Sequence, residues 1–158
     1  MKFKILESVG VPLICYDIVT GDRIESNERL LELYDIVEYL INNDGSLNVF
    51  ESVQLFAGNL FYLPFEFYYV KGNFDCSDNN LTSLKGAPKF VEGGFQCSAN
   101  NLTSLKGGPI YVNTGYYCND NNLTNLEGSP SYVGGEKICY NNNNLKDIRN
   151  FFEKGYWY

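Results

Sequence analysis

The residues of this chain best suited to chemistry are five cysteines and a scatter of carboxylates. Cys76, Cys97 and Cys118 recur at a spacing of 21 inside three closely matching copies of a repeat, with Cys15 and Cys139 outside those three copies. A thiol acts as nucleophile or metal ligand only with help from a neighbouring base, cation or second ligand. The chain has no histidine and no C-x-x-C pair. A small apolar residue recurring at a fixed period fits instead a packed interior column of free thiols; disulfides between stacked columns are the alternative and would imply an oxidising compartment. The carboxylates of Asp75, Asp78 and Asp120 follow no calcium-loop spacing. There is also no G-x-S-x-G elbow, no phosphate loop and no conspicuous acid pair. The expectation is a protein that is not an enzyme and holds no metal and no cofactor.

What must position these residues is a repeat. Three copies start at Val70, Val91 and Val112, each reading V-x-x-x-(F/Y)-x-C-x-x-N-N-L-(T)-x-L-x-G-x-P-x-(F/Y) over 21 residues. A period of this length marks a solenoid, whose coils bury their faces only against their neighbours. A degraded copy precedes them, with Val49, Val53, Leu55, Asn59, Leu60 and Leu63 on the columns of Val70, Phe74, Cys76, Asn80, Leu81 and Leu84. A fourth copy starts at Val133, but Leu145 falls one residue late. Aligning it on "NNNNL" puts Tyr140 in the cysteine column and Ile138 in the aromatic one, and turns Cys139 outward. The F-x-C stretch alternates apolar and polar residues and predicts one short parallel strand per coil. Return segments such as "LTSLKGAP" are too short and too rich in glycine and proline for a helix.

The phrase (F/Y)-x-C-x-x-N-x-L-x-x-L resembles the L-x-L-x-x-N-x-L core of leucine-rich repeats. It is most similar to the short repeats of bacterial effectors and of tailed-phage proteins, in which "CSxNNLTSLxGAP" phrases are common. It departs from them in placing aromatics and cysteine where the family has leucine. The resemblance implies an α+β chain built on a short leucine-rich-repeat solenoid, with a parallel β-sheet and non-helical returns. It also implies that Asn79, Asn100, Asn121 and Asn143 form an interior amide ladder that satisfies backbone groups at the turn after each strand.

Three segments are expected to pack as one unit: an N-terminal cap over 1–48, the solenoid over 49–150 with about five coils, and an aromatic C-terminal cap over 151–158. In the first, "VPLICYDIVTGDRIES" predicts a β-hairpin turned at "TGD". "SNERLLELYDIVEYLINNDG" predicts a helix starting at Ser26 or Asn27 and ending before Gly45, with Leu30, Leu33, Val37, Leu40 and Ile41 as its buried stripe. Glu28, Glu32 and Asp35 then share a helical face, either a solvated side or a decoy for nucleic-acid phosphates. At the far end Phe151, Phe152, Tyr156, Trp157 and Tyr158 seal the last coil or dock on another molecule.

Within the repeat, Tyr69, Phe90, Tyr111 and Tyr132 are expected in the core, as repeated aromatic stripes usually are. The positions that vary between copies are the candidates for a partner: Gln54, Phe56, Asp75, Ser77, Asp78, Gln96, Ser98, Tyr117, Asn119 and Asp120, projecting from the sheet as a mildly acidic strip. The net charge of -7 disfavours direct nucleic-acid binding and favours partners with basic surfaces. Ten acidic and four basic residues fall in 1–51, against nine and eight in 52–158. No stretch reaches the roughly 18 apolar residues of a membrane span, and the N-terminus lacks a secretory pattern. The resulting expectation is a cytoplasmic protein-binding module, in the host cytoplasm and acting as an inhibitor of a host or defence protein if phage-encoded. The alternative is a structural component that self-associates through its ends, the aromatic C-terminus giving a homo-oligomer.

Overall fold

A computed structural model describes residues 14–17, 19–25 and 28–145. Strands β1 (Ile14–Tyr16) and β2 (Arg23–Glu25) pair antiparallel with Cys15 opposite Ile24. Asp17 turns the chain between them by accepting from the amides of Val19 and Thr20 at 2.9 and 2.7 Å. Tyr16 ties this hairpin to the solenoid: its amide donates to Pro64 O, its hydroxyl donates to Glu66 Oε1 at 3.1 Å, and Lys85 Nζ sits 4.7 Å over its ring.

The helix expected to run to Gly45 is much shorter. Helix α1 covers only Glu28–Leu33; Ser26 and Asn27 lie outside the described residues. Asp35 then takes a left-handed φ of 53°, and the amides of Val37 and Glu38 donate to the Glu51 carboxylate at 2.7 and 3.0 Å. The remaining residues form a second hairpin, β3 (Tyr39–Ile41) against β4 (Leu47–Val49). Tyr39 and Ile41 are aromatic and β-branched, and Asp44-Gly45 supplies the turn, with Gly45 at φ 84°. These strand and turn signals outweigh the helical spacing of the leucines and glutamates. The expected buried stripe fails accordingly: Leu33 is 76% exposed, whereas Leu31, Ile36 and Tyr39 are buried.

From residue 47 onward the chain is a parallel β-solenoid of about four turns. Each coil contributes two short strands rather than the single one expected, and so builds two sheets. After β5 (Val53–Gln54) come β6 (Phe67–Val70) and β7 (Phe74–Asp75), then β8 (Phe90–Val91) and β9 (Phe95–Gln96). β10 (Tyr111–Val112), β11 (Tyr116–Tyr117), β12 (Tyr132–Val133) and β13 (Lys137–Ile138) complete the series. One sheet has the order β12-β10-β8-β6-β4-β3, with β3 antiparallel at its edge; the other is β13-β11-β9-β7-β5. The two strands of a coil meet at a corner where Gly93 is needed: a Cβ there would lie 2.6 Å from Gly72 O.

The core is a set of stacked columns, each residue 21 positions from the next. Val49, Val70, Val91 and Val112 point in from the first sheet, and Phe74, Phe95 and Tyr116 from the second, all fully buried. The rings of Phe74, Phe95 and Tyr116 stack at centroid spacings of 5.4 Å, tilted by only 5° and 8°. Leu60, Leu81, Leu102 and Leu123 with Leu63, Leu84, Leu105 and Leu126 fill the return side. Gly86, Gly107 and Gly128 turn each return at φ values of 89 to 92°, which favour glycine.

The last coil keeps strict phase with the others. Tyr117 pairs with Ile138, Cys139 joins the buried thiol column of Cys76, Cys97 and Cys118, and Asn142 rather than Asn143 completes the ladder. Tyr140 is 52% exposed. The extra residue is therefore taken up after Asn142, because slipping the strand by one position would turn every side chain to the other face. The aromatic segment 151–158 lies outside the described residues.

Candidate binding faces

The inner ladder shows which side chains are committed to the fold. In each of the four coils from Val70 onward one asparagine points inward: Asn100 Nδ2 donates to the carbonyls of Cys76, Cys97 and Ser98, and its Oδ1 accepts from the Leu81 amide at 2.9 Å. Asn79, Asn121 and Asn142 repeat the arrangement. The thiols are equally committed. Cys76 and Cys97 donate to Gln96 O and Tyr117 O, and burial pushes all four column thiols up, Cys97 to about 12. A buried thiol kept protonated is not a nucleophile at neutral pH. Among the described residues, no three His, Cys, Asp or Glu gather as metal ligands, and no helix is long and apolar enough to cross a membrane.

Outside the five-stranded sheet, Gln54, Asp75, Gln96 and Tyr117 stand in register on adjacent strands, with Ile138 on the last one. Gln54, Gln96 and the 54%-exposed Phe56 are open to solvent. The others are more constrained than their variability suggests. Asp75 Oδ1 accepts from the Ser77 amide and hydroxyl at 3.0 and 2.6 Å, and Ser77 is buried. Ser98 Oγ donates to Asn119 Oδ1 at 2.8 Å, and Asn119 Nδ2 donates to Asp120. Tyr117 is half-buried and lies over Gly115, where a Cβ would come 2.4 Å from its hydroxyl oxygen.

Asp78 and Asp120 belong to a column set by backbone geometry. Ala57, Asp78, Ala99, Asp120 and Asn141 all hold φ between 51 and 55°. Asp and Asn tolerate this left-handed region best among residues with a side chain. The acidic trio near the N-terminus does not lie on one helix: Glu28 and Glu32 fall on α1, which ends at Leu33, and Asp35 lies beyond it at a left-handed φ.

The six-stranded sheet presents a second outer face, formed by aromatic residues whose repetition predicts a place in the core. Tyr69, Phe90, Tyr111 and Tyr132 are in register but point out, half-buried for the first three and 50% exposed for Tyr132. Alternation held the signal, since an inward Val70 column requires residue 69 to face outward. Tyr111 and Tyr132 stack at 4.8 Å, and Phe50 and Tyr68 contact Tyr69 and Phe90. Tyr69, Phe90, Glu92, Tyr111 and Asn113 line an open cleft of about 380 Å³. A second cleft of about 590 Å³ includes Lys85, Lys89 and Lys106, but each of these already has a partner: the Tyr16 ring, Gly107 O and Glu127 respectively.

Fold and faces together define a parallel β-solenoid with two open outer sheets and an interior spent on packing. Compared with protein-family models, with curated proteins and with solved structures, the chain matches none of them.

Proposed function

We propose that this chain is a solenoid of the short leucine-rich-repeat type that binds a partner protein through the outer face of its five-stranded sheet, without catalysis. The observation that carries the reading is the contrast between columns. Inward positions repeat Phe, Cys, Asn and Leu, whereas the in-register outer positions read Gln54, Asp75, Gln96, Tyr117 and Ile138. A flat sheet offering different side chains on each strand suits one specific protein surface. The inward asparagine ladder supports the leucine-rich-repeat assignment. The resemblance to phage-encoded repeats favours a stoichiometric inhibitor of a host or defence protein as the concrete form, and the net charge of -7 favours a basic partner surface.

Gln54 and Gln96 are exposed, so replacing both with Ala is expected to change stability by less than about 0.5 kcal/mol. Tyr117→Ala uncovers Gly115 and is expected to cost about 1 kcal/mol. A partner captured from the natural host, purified and titrated calorimetrically, should bind the Gln54→Ala, Gln96→Ala variant at least about tenfold more weakly. Unchanged affinity would remove the five-stranded face from consideration.

A further inference from the structure

The outer face of the six-stranded sheet carries a seat of different chemistry. Tyr69, Phe90 and Tyr111 lie on three successive strands in register, so their Cα atoms step by about 4.8 Å. Burial, and after it the neighbouring Glu92 carboxylate, push the Tyr69 phenol above its ordinary value, and the Tyr111 hydroxyl donates to Asn113 Oδ1 at 3.1 Å. That bond holds the Tyr111 ring, while Phe90 between the two tyrosines has only carbon to offer and is braced edge-on by Tyr68 at 5.5 Å. Glu92 is exposed and is the one charged residue lining the cleft.

Aromatic rings beside a single carboxylate form a recognition chemistry for a cation with apolar flanks. A guanidinium group fits best: its face packs on a ring, and its planar fork donates to a carboxylate and to an amide oxygen such as that of Asn113. The acidic excess of residues 1–51 draws basic segments to the molecule as a whole, and within the nearly balanced solenoid Glu92 places a negative charge at the cleft. A neutral sugar would use the rings but gain little from Glu92, and an acidic group would be repelled by it. We propose that this cleft seats an arginine side chain from a basic segment of a partner protein, on a face separate from the glutamine and tyrosine column of the other sheet.

The test titrates the full chain, in low-salt buffer, with an N-acetylated and C-amidated tetra-arginine peptide and follows backbone amide shifts. The tetra-citrulline peptide, which keeps the shape and loses the charge, is the comparison. Saturable shifts at Tyr69, Phe90, Glu92 and Tyr111 are expected with arginine alone. Glu92→Gln, at an exposed position and with an unchanged melting temperature, should weaken them about tenfold, while Gln96→Ala should not. The proposal is overturned by equal shifts with citrulline, or by shifts confined to the acidic residues of the N-terminal third. It is also overturned if cellohexaose moves the cleft amides and tetra-arginine does not. Because Glu92 follows β8 of one sheet and Gln96 lies on β9 of the other, failure here leaves the five-stranded face standing, and failure there leaves this cleft standing.

Discussion

Asn100 shows how much one side chain can hold in a coil this short. Its amide closes hydrogen bonds to three carbonyls and one N–H drawn from two adjacent coils, all in a region closed to water. Alanine would leave those groups without partners, and a buried unsatisfied group costs about 1–3 kcal/mol. Asn100→Ala is therefore expected to destabilise the protein by about 3 kcal/mol in urea denaturation, whereas Asn101→Ala, one residue on and exposed, should move it by less than about 0.5 kcal/mol. A small effect at Asn100 would mean that water replaces the amide. The same scale explains why Asp78, Asp120 and Asn141 recur where Ala57 and Ala99 also occur: the backbone there asks for left-handed φ before any partner is considered.

At the scale of elements, the stacked thiols couple stability to pH. Burial raises Cys76, Cys97 and Cys118 above the ordinary 9.0, Cys97 to about 12. A group raised on folding gives its full stabilisation below its unfolded value and loses it as pH climbs towards the folded one. Urea stability should thus be flat up to about pH 9 and then fall by about 1.4 kcal/mol per pH unit for each buried thiol. Cys97→Ala should reduce that slope by one proton; an unchanged slope would assign the loss to other groups. The thiol column was legible in the sequence because F-x-C alternates within a strict period of 21. The neighbouring Val column implied a second strand by the same alternation, but Tyr69, Phe90, Tyr111 and Tyr132 looked apolar enough to be core. Residues 36–45 misled for a different reason: apolar residues at helical spacing coincide there with β-branched residues and an Asp-Gly turn, and Glu51, distant in sequence, captures the Val37 and Glu38 amides. The late Leu145 concealed the phase of the last coil, although Cys139 and Asn142 each stand 21 residues after Cys118 and Asn121 and so carry the phase that the strand register displays.

On the scale of the whole molecule, each coil touches only its neighbours, so stability should behave as a sum over coils and the interfaces between them. The inner columns then depend on the phase of the coils, not on any one coil being present. This can be tested by excision. Removing 91–111 deletes 21 residues and joins Phe90 to Val112, restoring the register that Phe90 already shares with Tyr111. The shortened chain should fold cooperatively and lose roughly 2 kcal/mol, the share of 21 residues at about 0.1 kcal/mol per residue. Removing 20 residues instead, 92–111, keeps Val91 but follows it with Val112, so one of the two valines must face outward and every later column is out of phase. That chain should fail to give a single cooperative transition by circular dichroism. Equal folding of the two would show that the columns do not set the register, and the assignment of inner and outer faces would fall with it.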